Sequence, residues 1–306
     1  MSIDATVAAH TLPNSLTRGS STHEAAIATS ERAYHPDFSS AEADAVLCSR
    51  EGTLYRVPSI VLKMTSGFFR SVLALPPPKP SSEHPIPIAE PDQVITTLLK
   101  LMCGLEIAPW SSLSAIEDVL ALAEVWETPG PISVIRTAIT APGLLVDPLR
   151  VFSIAQRFGW TAEAQTAARA TLTLDLYDDA HQDTLQSLSA NALMALLTLH
   201  RRRRDALKLL LDASDLFGAG NDETSACANC HTRKNNATWR ELKARMFVEM
   251  DRRPLGDTLY GLEMEEWPES VACWNAKCTG CAKLNYDKAT TKRNIQMCVL
   301  QLPDTV

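Results

Sequence analysis

The sequence predicts an α+β protein: a small unit of short strands and clustered helices, then an all-helical extension, then a small cysteine-rich segment. Three observations predict it. Two runs of strand formers flank a glycine-bearing link between Ala45 and Val57, helical periods begin near Pro91 and run on alone from Asp147, and two C-x-x-C pairs lie beyond Cys227.

The bulk numbers set the limits. A chain of 306 residues, 45% hydrophobic, suits two or three compact units with buried cores. A formal net charge of -7 supplies no chain-wide positive field, so nucleic-acid binding is not expected. No stretch approaches the ~20 apolar residues that span a bilayer, and Met1 to Ser30 lacks a basic start followed by an apolar run. The expected location is therefore cytoplasmic, nuclear or both, with no membrane partner. Eight cysteines in a reducing compartment read as metal ligands or buried thiols rather than disulfides.

In chain order, residues 1–36 are rich in Ser, Thr and Ala without an apolar period and are expected to form a disordered arm. Ala45-Val46-Leu47-Cys48 and Thr53-Leu54-Tyr55-Arg56-Val57 predict a hairpin turning at Gly52. Ile60 to Met64, and Phe68-Phe69 with Val72 and Leu73 after Gly67, suit two short helices. Pro76 to Ser82 must be a loop, because proline cannot donate to a helix or ladder, and Ile86 with Ile88 suggests a third strand. Pro91 opens a helix striped by Val94, Leu98, Leu101 and Leu105; Ser114 with Glu117 has the form of a capping box; Ile132, Ile135 and Ile139 mark a third short helix.

From Asp147 the pattern is all helix. Asp147-Pro148 starts one helix that Gly159 can end, Thr161 opens an alanine-rich one, and Ser189 caps a long one running through His200 and Arg201 to Arg204. The four arginines read as a solvated face beside Asp205. The expected units are 37–142, 143–217 and 218–306.

This order of elements resembles the BTB/POZ fold. The residues that carry the resemblance are Asp44-Ala45-Val46-Leu47, Gly52, and Leu62 followed by Ser66-Gly67-Phe68-Phe69. Trp126 to Arg136, Asp147 to Trp160 and Leu199 to Asp205 look like the extended BTB proteins common in fungi. Pro58 departs from the pattern, since such domains usually carry a histidine there. The resemblance implies a non-enzymatic adaptor that self-associates, as a homodimer, or recruits a ubiquitin-ligase scaffold or a corepressor. It implies no catalytic residues.

The strongest chemical signal is Cys227-Ala228-Asn229-Cys230-His231 with Cys278-Thr279-Gly280-Cys281. A C-x-x-C turn lets two thiolates meet one ion, and a second pair completes the four-coordinate shell of a structural zinc. Cys227, Cys230, Cys278 and Cys281 are the expected ligands, with His231 and Cys273 as alternates. The 47 residues between the pairs must fold back, and Trp239, Leu242, Met246, Phe247 and Met250 supply a helix face for that. The alternative function is a transcription-associated, zinc-containing regulator touching nucleic acid through this segment. Its 12 Lys and Arg against 10 Asp and Glu are too balanced to favour that.

Overall fold

The structure is a computed structural model and describes residues 33–75, 85–222 and 225–306. The expected arm falls mostly outside these residues, as does the loop expected from Pro76 to Ser82. The fold is α+β and mostly helical, with one three-stranded sheet.

The hairpin forms as β1 (Ala45–Cys48) and β2 (Leu54–Val57), antiparallel with Leu47 opposite Tyr55. Gly52 takes the positive φ of 90° that the turn requires. β3 (Ile86–Pro87) adds parallel to β1, giving the order β2-β1-β3. Ala33 to Pro36, expected in the arm, instead runs beside β2: Leu54 N donates to Ala33 O and His35 N to Leu54 O.

Helices α1 (Ser59–Thr65) and α2 (Gly67–Val72) follow. Pro58 offers no side-chain cap to α1; the Asp44 carboxylate supplies it, accepting from Ser59 N at 2.7 Å and Ser59 Oγ at 2.6 Å. Those bonds hold the Asp44 carboxyl below the usual carboxylate range. Ser66 caps α2 and donates its hydroxyl to Trp126 O, while Phe69 meets the Trp126 ring edge-on at 4.9 Å. A Cβ at Gly67 would strike the Glu127 side chain, so the Ser66-Gly67-Phe68-Phe69 step is a close seat on the turn after the fourth helix.

α3 (Asp92–Cys103), α4 (Leu113–Val125) and α5 (Pro129–Ala138) complete this part. Two expectations shift here. α3 stops at Gly104, whose φ of 68° lets Leu105 N bond back to Lys100 O, so Leu105 leaves the apolar stripe and stands 45% exposed. α4 is capped by Ser112 rather than Ser114, because Ser112 already has the extended backbone a cap needs and accepts from Ala115 N.

α6 (Pro148–Arg157) and α7 (Thr161–Thr171) form a close pair around Gly159, α8 (Gln182–Ser187) is short, and α9 (Ala190–Leu211) runs for 22 residues from its Ser189 cap. A single apolar core runs from Phe38 to Leu199 without a break at 142, so the strand-bearing part and α6 to α8 are one packed body. Salt bridges from Arg136 to Glu163, Arg150 to Glu117 and Arg157 to Glu124 line the same seam.

A second core runs from Leu207 to Leu302. It is built on α10 (Ser214–Asn221), α11 (Ala237–Arg252), α12 (Glu263–Glu266), α13 (Pro268–Asn275) and α14 (Lys288–Leu300). α9 belongs to both: Leu196 and Leu199 enter the first core, Leu207 and Leu211 the second. Between them the expected solvated arginine face is corrected at two positions: Arg204 is half-buried, bonded to Asp251 and set over the Phe247 ring. Arg203 is buried and donates to the carbonyl oxygens of Pro254, Leu255, Leu302 and Pro303, whereas Arg201 remains exposed beside Asp205. Consecutive helical residues point in different directions, so Arg203 and Arg204 face the second core while Arg201 and Arg202 face solvent. No helix among the described residues is long and apolar enough to cross a membrane.

Candidate metal centre

Each C-x-x-C pair sits in a tight turn with the same hydrogen bonds. In the first, Cys227 N donates to Thr232 O, His231 N to Cys227 O, and Ala226 bridges to Arg233. In the second, Cys278 N donates to Lys283 O, Ala282 N to Cys278 O, and Lys277 bridges to Leu284. The residue after the second cysteine is left-handed in both, His231 at φ 56° and Ala282 at φ 59°. Such a turn aims backbone N–H groups and both thiols inward.

The likeness extends outward. A short helical segment precedes each turn, α10, which is kinked at Phe217, and α13, and a longer helix follows, α11 and α14. Each following helix begins ten residues after the first cysteine of its pair, Cys227 to Ala237 and Cys278 to Lys288. The C-terminal segment is thus a helix–turn–helix unit made twice, and the two turns face each other. That repeat was not anticipated; the equal spacing was its only trace, since the two copies share little else.

The facing turns bring together the four expected cysteines. Their sulfurs all lie within 4.8 Å of one another, with Cys227 to Cys281 at 3.6 Å and Cys230 to Cys278 at 3.4 Å. A tetrahedral ion with metal–sulfur bonds of about 2.3 Å would set sulfurs about 3.8 Å apart, and a disulfide would need about 2 Å. The arrangement is therefore compatible with a four-coordinate metal ion. An all-sulfur set favours a soft or borderline ion, and four protein ligands leave no position for a substrate.

The alternates fall away from the cluster. His231 is not among the grouped ligand atoms, because its position is spent on the left-handed turn. Cys273 lies wholly buried on α13 in the second core, where burial pushes its thiol up to about 12. Cys298 is likewise a buried core thiol, and Cys48 and Cys103 are half-buried in the first region.

The thiols are electrostatically divided. Hydrogen bonding from the Thr232 hydroxyl and backbone, helped by Cys278, lowers Cys230 to about 6, and backbone N–H groups at Asn229 and Cys230 lower Cys227. At Cys281 the Lys283 N–H works downward, but desolvation and the three neighbouring thiols together raise it to about 11. Close thiols cannot all ionise without a cation among them, which is the demand that a bound metal meets.

Gly280 makes the approach of the two turns achievable. A Cβ there would strike Thr232 Oγ1 and come within 3.1 Å of Cys230 Sγ. Across the same gap Lys283 Nζ donates to Asn229 Oδ1 at 2.8 Å. These supporting residues were not foreseen, because a lone glycine or asparagine in a C-x-x-C turn carries no signal of what lies opposite. Comparison with protein-family models and with curated proteins finds no match to this chain.

Proposed function

We propose that the protein is a non-enzymatic adaptor: its strand-bearing part serves as a BTB/POZ-type unit for self-association or recruitment, and its C-terminal part is held by one structural zinc. For the zinc, the support is the closed set of four sulfurs, whose spacing and composition suit that ion and leave nothing open for catalysis. For the adaptor role, the observation that carries the reading is α1. Ile60 and Met64, one turn apart, stand 60% and 72% exposed, and Leu75 nearby in sequence is 71% exposed. Large apolar side chains set together on a helix face gain most when a second polypeptide covers them.

The zinc holds the two copies of the C-terminal unit in register, and α9 carries that rigidity to the first core. The adaptor thereby presents two surfaces in fixed relation. Sedimentation of the full-length chain tests the reading. A concentration-dependent dimer that the Ile60→Glu, Met64→Glu double variant reduces to monomer is expected. A wild-type chain that stays monomeric and captures no protein through this face from its native cell would contradict it.

A further inference from the structure

Beside the metal centre, between the first cysteine turn and the start of α11, lies a cleft of about 920 Å³. Arg233, Lys234, Arg240, Lys243 and Lys277 line it, against a single carboxylate among the described residues, Asp212. Lys243 pairs with Asp212 at 2.6 Å; Arg240 and Lys277 are exposed and meet no carboxylate among the described residues.

The repeated architecture provides a comparison. The corresponding cleft of the second copy, about 1130 Å³, is lined by Lys288 and Lys292, both already paired with Glu265 at 3.2 Å and 2.6 Å. The first cleft reaches the cysteine cluster at Cys278, whereas no cysteine lines the second. The cations of the second cleft are thus spent on a carboxylate, and Arg240 and Lys277 of the first are not, among the described residues.

We propose that this first cleft docks an acidic, phosphorylated segment of a partner polypeptide. Guanidinium and ammonium groups converging on one concavity form charge-assisted hydrogen bonds to phosphate, and the volume suits a few residues of chain. The wall also carries the amide of Asn285, 8% exposed, which borders both clefts and whose side-chain oxygen has no hydrogen-bond partner among the described residues. An orphaned acceptor suits a peptide N–H; a deoxyribose–phosphate backbone has no such donor to give. No aromatic ring lines the cleft for bases to stack on, and a chain of net charge -7 repels a long polyanion.

The inference rests on the adaptor reading only in taking the ligand to be a polypeptide. Its test is anisotropy of a fluorescein-labelled peptide of alternating phosphoserine and glycine, titrated with the full-length, metal-loaded chain at low salt. Saturable binding is expected, weakening as salt rises, falling about tenfold or more in Arg240→Ala, Lys277→Ala. Binding should be unchanged in Lys288→Ala, Lys292→Ala, and much weaker for the unphosphorylated peptide. Absence of saturable binding, indifference to the Arg240 and Lys277 substitutions, or tighter binding of an oligothymidine of equal charge would overturn the proposal. Because self-association is read on α1 by sedimentation, either reading can fail while the other stands.

Discussion

The two halves of the molecule reach stability by different means. The first core, from Phe38 to Leu199, is closed by burial: Tyr55, Phe69, Phe152, Leu98 and Ile116 are wholly inaccessible. The second core is smaller, and all six buried side-chain polar atoms without a partner among the described residues fall in its half: on Thr238, Thr258, Glu269, Ser270, Trp274 and Asn285. Each orphaned group costs on the order of 1–3 kcal/mol. A region that carries such costs on a modest apolar core needs another source of cohesion, and the four-sulfur centre lies at the place where its two copies meet.

The sharpest way to break the contrast is to remove the metal. Chelation, or Cys278→Ser, is expected to unfold the second region while the first stays folded, leaving only the first region's thermal transition, with a smaller total enthalpy. A structural zinc of the proposed kind contributes on the order of 10–16 kcal/mol in small domains, which makes this the largest expected effect. Calorimetry with and without chelator reads the outcome. Next in size is the junction. Arg203→Leu leaves four carbonyl oxygens without their donor and should lower stability by about 3–4 kcal/mol, read by urea unfolding, by loosening the second core and the C-terminal turn from α9.

A pH dependence belongs to the first half. His200 is buried against Thr171, and burial, with Arg203 adding to it, lowers its pKa to about 4. The folded state therefore holds the neutral ring while the unfolded chain takes up a proton below about 6.5. Stability is expected to fall as pH drops from about 6.5 towards 4, by about 3 kcal/mol at most. Comparing the pH profile with that of His200→Gln, which does not titrate, isolates this contribution from acid release of metal. The smallest effect is at Gly280. Gly280→Ala should push Thr232 and Cys230 aside and weaken metal binding about 10- to 100-fold, seen in competition with a chromophoric chelator, without altering the first core.

What the sequence made legible follows the same division. Alternation in Ala45 to Val57, the Ser189 and Asp147 caps and the cysteine spacing are local signals, and each element appears where they place it. Signals that depend on the far side of a contact were not legible. Nothing local distinguishes Arg203 from Arg201, because burial of one is decided by Pro254 and Pro303, about fifty and a hundred residues away. The boundary expected near 142 reflects a change from strands to helices, but apolar faces on both sides close one core. The two-copy architecture escaped notice because helix–turn–helix symmetry lies in hydrogen bonds and spacing, while Arg233, Lys234 and Leu284, Asn285 occupy equivalent places with unrelated chemistry.

The most direct test is metal content per chain, measured by mass spectrometry on protein purified without a metal-binding tag. About one equivalent of zinc is expected, retained in His231→Ala and Cys273→Ala and lost in Cys227→Ser or Cys278→Ser. A metal-free chain whose second core nevertheless melts cooperatively would contradict the claim that this half is closed by an ion.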